Sequence, residues 1–148
     1  MNDQKIDLQK ELRFYNDKNE VRPDLYDESA EKIANGLVKV EQRYTNGVSR
    51  HQLRNLFDET KRIQRQLAHK ALSWEEIMPS VKLLKSKTSY AVARAKKNSK
   101  RDIKYYDFLK VFLHTCIDNI HTRKDFDVFV NLFEAVYGFY YEKGGANT

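Results

Sequence analysis

Apolar side chains recur in this chain at spacings of three and four residues from Ile33 to Tyr141, and no segment alternates with period two over a strand's length. That spacing builds helices with one buried stripe. Five glycines and two prolines in 148 residues leave few places for tight turns, which tells against a fold of many hairpins. The length is that of one domain, large enough to bury a core of its own. One cysteine, Cys116, excludes an internal disulfide framework and fits a reducing compartment. No uncharged apolar run reaches the roughly 18 residues of a spanning helix, and the polar start Met1-Asn2-Asp3-Gln4-Lys5 offers no secretory signal. The sequence therefore predicts an all-α protein of the cytoplasm, with no membrane contact. Its fold is expected to be a compact bundle of five to six helices with no sheet.

Residues 1–26 read as a mobile N-terminal arm, 27–143 as the helical bundle domain and 144–148 as a disordered tail. The first helix is expected over Asp27–Arg43, with Ala30, Ile33, Leu37, Val40 and Tyr44 inward and Thr45-Asn46-Gly47 as its C-terminal cap. The second opens on the capping box Ser49-Arg50-His51-Gln52 and ends near Lys70. The third opens on a second box, Ser73-Trp74-Glu75-Glu76. Pro79 marks a restart or a kink in it, and a break is expected near Ser86. The fourth spans about Asp102 to His121. The fifth runs from Asp125 to the glycines 144 and 145, and its apolar residues cover about 200° of arc. So wide an arc predicts a central helix or a subunit interface. Tyr137, Tyr140 and Tyr141 are the expected interface residues.

The formal charge of +6 is unevenly placed. Residues 44–101 carry 14 basic and 4 acidic side chains, while the segments on either side are each net −2. A basic middle third points to a polyanionic partner, most simply a nucleic-acid backbone. On the second helix, Arg50, Arg54, Lys61 and Arg65 fall within about 60° of arc over about 22 Å of length. On the third, Lys87 and Arg94 share a face with Tyr90 between them, a phosphate track with an aromatic beside it.

Catalytic and metal chemistry find little support. His114, Cys116 and His121 are spaced by two, five and seven residues, whereas helical ligands converge at three or four. Asp58-Glu59 and Glu75-Glu76 point about 100° apart and read as surface pairs. His51 lies on the basic helix with nothing in the sequence to position it for cleavage. No cofactor, metal or catalytic residue is expected.

Three segments carry a resemblance. Ser49-Arg50-His51-Gln52-Leu53-Arg54-Asn55-Leu56-Phe57 resembles the Ser-x-x-Gln-Leu-Arg-x-Phe-Phe segment of the small subunit of type III-A CRISPR effector complexes, the Csm family. Leu83 to Arg94 is similar to that family's Leu-Leu-Lys-Pro-Lys-Leu-x-Tyr-Ala-x-x-Arg, with Ser86 in place of proline. Phe126 to Val136 resembles its Phe-x-x-Phe-Val-x-Phe-x-Glu-Ala-Ile. The three occur in the family's order and cover residues 49 to about 141. The resemblance implies a non-catalytic helical subunit of an antiviral complex, present in several copies as a filament or dimer. It implies target RNA and crRNA as partners, beside the backbone and large subunits, with RNA cutting left to the backbone subunit. On this reading Arg50, Arg54, Lys61, Arg65, Lys85, Lys87 and Arg94 contact RNA phosphates. The rival reading is a free-standing helix-turn-helix regulator of duplex DNA, permitted by the short Ala71-Leu72-Ser73 connector. Against it, Trp74-Glu75-Glu76 would set acids where a recognition helix meets phosphate.

Overall fold

The computed structural model describes residues 7–40, 45–69, 72–98 and 100–144. Among them are six α-helices: α1 (Leu8–Glu11), α2 (Ala30–Leu37), α3 (Arg50–Ala68), α4 (Trp74–Asn98), α5 (Ile103–Asp118) and α6 (Arg123–Glu142). A π-helical turn, Leu25–Ser29, leads into α2, and a 3-10 turn, Lys100–Asp102, leads into α5.

A small sheet corrects the expectation of none. Strands β1 (Val38–Val40) and β2 (Thr45–Gly47) pair antiparallel in the register Val38↔Gly47, Lys39↔Asn46 and Val40↔Thr45. The helix expected to reach Arg43 ends at Leu37, and Thr45-Asn46-Gly47 forms a strand instead of a cap. Asn35-Gly36 weakens the last turn, and the β-branched residues of Val38-Lys39-Val40 favour the pleated state. Residues 41–44, including the expected inward Tyr44, lie outside the described residues. Gly47 closes the hairpin at φ +143, where a Cβ would stand 2.3 Å from the Leu37 carbonyl oxygen. Its N–H donates to Asp102 Oδ1 at 3.0 Å, and Val48 N–H donates to Leu37 O at 2.9 Å, so the hairpin is tied to the bundle.

Helix α6 is central. It packs against α2, α3 and the π-turn. Phe126, Phe129, Leu132, Phe133, Val136 and Tyr140 on it are all buried. Phe133 is the hub of an aromatic cluster, with Phe57 at 5.3 Å, Phe129 at 5.9 Å and Phe112 at 6.0 Å between ring centroids. Burying one such ring contributes roughly 1.5–3 kcal/mol. A helix with neighbours around so much of its circumference needs a wide apolar arc, so most of that arc is satisfied inside the chain. Its N-terminus carries a third capping box, Thr122 with Asp125.

Residues 7–26 lie on this core rather than standing off it. Leu12, Phe14 and Leu25 are buried. Arg22 ties the stretch together by donating from Nη1 to the carbonyls of Lys10, Glu11 and Arg13, at 2.9, 3.1 and 2.7 Å. Tyr15 donates its hydroxyl proton to Asp125 Oδ1 at 2.5 Å, which anchors the stretch to the start of α6. Of the tail expected at 144–148, residues 145–148 lie outside the described residues.

Helix α4 runs unbroken through both Pro79 and Ser86. Pro79 stands in the second turn, where the carbonyl it leaves without a donor belongs to exposed Glu75 and is open to water. Ser86 keeps the N–H that a proline would lack, and its hydroxyl donates to Leu83 O at 3.0 Å. Helix α3 starts as expected, with Gln52 N–H donating to Ser49 Oγ at 3.2 Å. The other half of that box is replaced: Ser49 N–H donates to Tyr106 Oη at 2.9 Å, a tertiary partner. At α4 both halves form, Glu76 N–H to Ser73 Oγ at 3.2 Å and Ser73 N–H to Glu76 Oε1 at 2.9 Å.

Candidate nucleic-acid interface

Helix α3 presents three surfaces. Leu53, Leu56, Thr60, Ile63 and Leu67 form its buried stripe. The flank carrying Arg50, Arg54, Lys61 and Arg65 runs beside α6, whereas Gln52, Asn55 and Glu59 lie on the opposite flank, facing α4. The seven cations expected to bind RNA therefore fall into three separate sets.

The first set is the α3 stripe. Arg50 donates through Nε to Gly144 O at 3.0 Å and through Nη2 to the same oxygen, and its guanidinium lies 5.6 Å from the Tyr141 ring centroid. Arg54 pairs with Asp58 at 3.7 Å, but the two side chains are 72% and 63% exposed, and so loose a pair contributes little. Lys61 reaches Glu134 of α6 at 3.4 Å. Arg65 is exposed and has no ion-pair partner among the described residues.

The second set lines a groove between α3 and α4, of about 240 Å³. Lys87, Tyr90 and Arg94 stand on the α4 side, and Gln52, Asn55 and Glu59 on the α3 side. Lys87 is not free: its Nζ donates to Glu59 Oε2 at 2.6 Å. Arg62 grips the same carboxylate, through Nη2 to Oε2 at 2.5 Å and Nε to Oε1 at 3.2 Å. The Arg62 bonds, against the opposing effect of partial burial, and the Lys87 bond and charge hold the Glu59 carboxyl down to about 2. Arg94 has no ion-pair partner among the described residues, and Tyr90 is 67% exposed.

Lys85 stands alone. It lies about 160° round α4 from Lys87, on the side facing α5. There it pairs with Asp118 at 2.7 Å, and that bond holds the Asp118 carboxyl below its ordinary range.

The three tyrosines also part company. Tyr140 is fully buried and donates its hydroxyl proton to Val48 O at 2.5 Å, so it cannot meet another subunit; this corrects its placement at an interface. Tyr137 is half-buried against Phe57 at 5.0 Å, and Tyr141 is 63% exposed beside Arg50.

His114, Cys116 and His121 point to different surroundings. Nε2 of His114 lies 3.1 Å from both Lys85 O and Ser89 Oγ, and burial lowers the tendency of the ring to protonate. Cys116 is sealed in the core, where burial pushes its thiol up. His121 is exposed and donates its backbone N–H to Asp125 Oδ2 at 2.8 Å. Among the described residues no group of three metal-ligating side chains converges. Nor is any described helix long and apolar enough to cross a membrane.

Sequence reasoning missed Glu59, read as a surface acid, and also Gln52, Asn55 and Arg62 on the groove flank. The spacing of three between Glu59 and Arg62 is a helical ion-pair signal that marks the first link. Nothing in the sequence places Lys87 against Glu59, because they meet only through the packing of α3 on α4.

Comparison with known families adds an independent line. The family model described as Csm2 Type III-A matches residues 20–145, most of the chain. No curated protein and no solved structure matches.

Proposed function

We propose that this chain, which belongs to the Csm2 family of type III-A CRISPR complexes, serves in its complex as a non-catalytic subunit that holds target RNA by its phosphates beside the crRNA and bridges neighbouring subunits in antiviral defence. The observation that carries this reading is the α3 stripe. It sets Arg50, Arg54, Lys61 and Arg65 on one flank over about 22 Å, and its two loosest members, Arg54 and Arg65, are open to a ligand. Such an array matches a strand's repeating phosphates and reads no sequence. Arg50 is held close to Tyr141 and Gly144, and Lys61 to Glu134, so these two also stiffen the flank. Exposed Tyr141, with Arg50 over its ring, continues this flank onto α6 and is the remaining candidate for subunit contact, alongside half-buried Tyr137.

The test is the double variant Arg54→Ala, Arg65→Ala. Removing one phosphate-binding cation should lower the salt slope of log affinity by about 0.7 for single-stranded RNA, so the pair should flatten it by about 1.4, equally across unrelated sequences. Circular dichroism should be unchanged, since alanine favours a helix and both sites lie off the core. An unchanged slope and affinity, with complex assembly impaired, would make the stripe a protein contact instead.

A further inference from the structure

The groove between α3 and α4 has features that a phosphate track does not require. At about 240 Å³ it is smaller than the roughly 300–1,000 Å³ of pockets that enclose whole small molecules. Its floor is apolar, made by Leu56 and Ala91. On one wall the Gln52 amide has no hydrogen-bond partner among the described residues. On the other, the Tyr90 ring stands largely in solvent although it is among the largest apolar surfaces the chain exposes. A shallow apolar floor, a free amide and a bare aromatic face are the parts from which single-strand binders build a seat for a base.

We infer that this groove seats one unpaired nucleobase of the bound RNA strand, stacked on Tyr90, with the Gln52 amide at its edge and the adjoining phosphate on Arg94. The inference rests on the RNA-holding reading above and deepens it. Charge sets the orientation. Glu59 is ionised at any physiological pH and accepts from both Lys87 and Arg62, so the cation at that end of the groove already has its counter-charge. Arg94 has no acid of its own among the described residues and is exposed, so the phosphate belongs there and the neutral base points inward. An amide carries both donor and acceptor, so Gln52 can meet the edge of any base. The seat is therefore expected to be tolerant of base identity, as stacking sites are.

The test uses the full chain, a short single-stranded RNA and the same strand with its bases removed. Tyr90→Ala should weaken binding of the RNA about 5- to 150-fold, the range of a stacking aromatic, without changing its salt slope. Tyr90→Phe should bind as the unaltered chain does. Neither variant should affect the baseless strand. Arg94→Ala should lower the salt slope by about 0.7 on both strands. Equal loss by Tyr90→Ala on both strands, or no loss on either, overturns the base seat. If the unaltered chain binds both strands equally and Tyr90 is silent, phosphate holding stands and the seat falls. If it binds neither strand, both readings fall. If Tyr90→Ala impairs only assembly with other subunits, the groove is a protein contact and the seat is likewise refuted.

Discussion

Replacing Glu59 by glutamine should weaken the fold and strengthen RNA binding at once. The carboxylate holds Arg62 and Lys87 at 2.5 and 2.6 Å, and it titrates at about 2 instead of the ordinary 4.5. By linkage such a displacement is worth roughly 3 kcal/mol. Both partners stand nearly half in water, at 45% and 41% exposure, so screening reduces the expected loss to about 1–2 kcal/mol at pH 7. The sign follows from the depressed folded value. The stabilisation is fully present above about 4.5 and is lost as pH falls through about 2. Urea unfolding of the two proteins should therefore show a gap at pH 7 that closes across that window. Meanwhile Glu59→Gln leaves Lys87 at the groove without its counter-charge. If Lys87 then takes up a phosphate, the salt slope for RNA steepens by about 0.7 and affinity rises at low salt. A stability gap that stays constant from pH 7 to pH 2 would refute the electrostatic account and assign the loss to packing. An unchanged salt slope would place Lys87 off the path of the strand.

Two further substitutions test how the interface is supported. Tyr140→Phe should cost about 1–3 kcal/mol, because it strips the Val48 carbonyl of its buried donor, and the urea midpoint should fall without a change in slope. Tyr15→Phe should cost about 1.5–3 kcal/mol near neutral pH, the contribution of a hydrogen bond to a charged group. Burial opposes ionisation of Asp125, yet the Tyr15 hydroxyl and the N–H groups of His121 and Thr122 hold its carboxyl below the ordinary range. In the variant that carboxyl should titrate higher by NMR, and the stability cost should fade as pH falls through the folded value; a cost that persists in acid would point to packing rather than to the hydrogen bond.

Helical periodicity made most of the bundle legible. Ile77, Val81 and Leu84 of α4, and Leu109, Leu113, Cys116 and Ile117 of α5, are buried where spacing put them. The failures have local causes. Val40 fits the stripe of a helix as well as the alternation of a strand, and at 59% exposure it belongs to neither core. What decides between them is tertiary, since Asp102 accepts the Gly47 N–H from across the fold. Ser49 shows the same effect, because Tyr106 takes the N–H that a purely local capping box would give to Gln52. Residues 1–26 read as a mobile arm because the partners of Tyr15 and Leu12 lie elsewhere: Asp125 holds Tyr15 from 110 residues away, and the common core covers Leu12. For the site, spacing on one helix put Arg50, Arg54, Lys61 and Arg65 on a common flank. The same spacing puts Lys85 and Lys87, two residues apart, on opposite sides of α4, but it could not say that Asp118 and Glu59 meet them there.

The charge layout explains why a basic middle third yields fewer open cations than its count suggests. Four of its lysines end in ion pairs with carboxylates: Lys61 with Glu134, Lys85 with Asp118, Lys87 with Glu59 and Lys96 with Asp107. Only Glu59 comes from the basic segment itself; the other three acids lie on α5 and α6, in the acidic last third. Folding thus lays the negative third of the chain along the positive one, and counting charges along the sequence overstates the free positive surface. The acids are not spread evenly. None reaches Arg65 or Arg94, and Asp58 meets Arg54 only loosely and in open solvent. Apart from Arg50, bound to Gly144 O, the cations of this segment left without an ion pair among the described residues are Arg65, Lys82, Arg94, Lys97 and Lys100, with Arg54 only loosely held; Arg54 and Arg65 share the α6 flank of α3 and Arg94 stands at the rim of the groove. An arginine has a planar fork matched to phosphate and cannot shed its charge, which is why the proposed reading puts the strand's backbone on Arg54, Arg65 and Arg94 rather than on the open lysines.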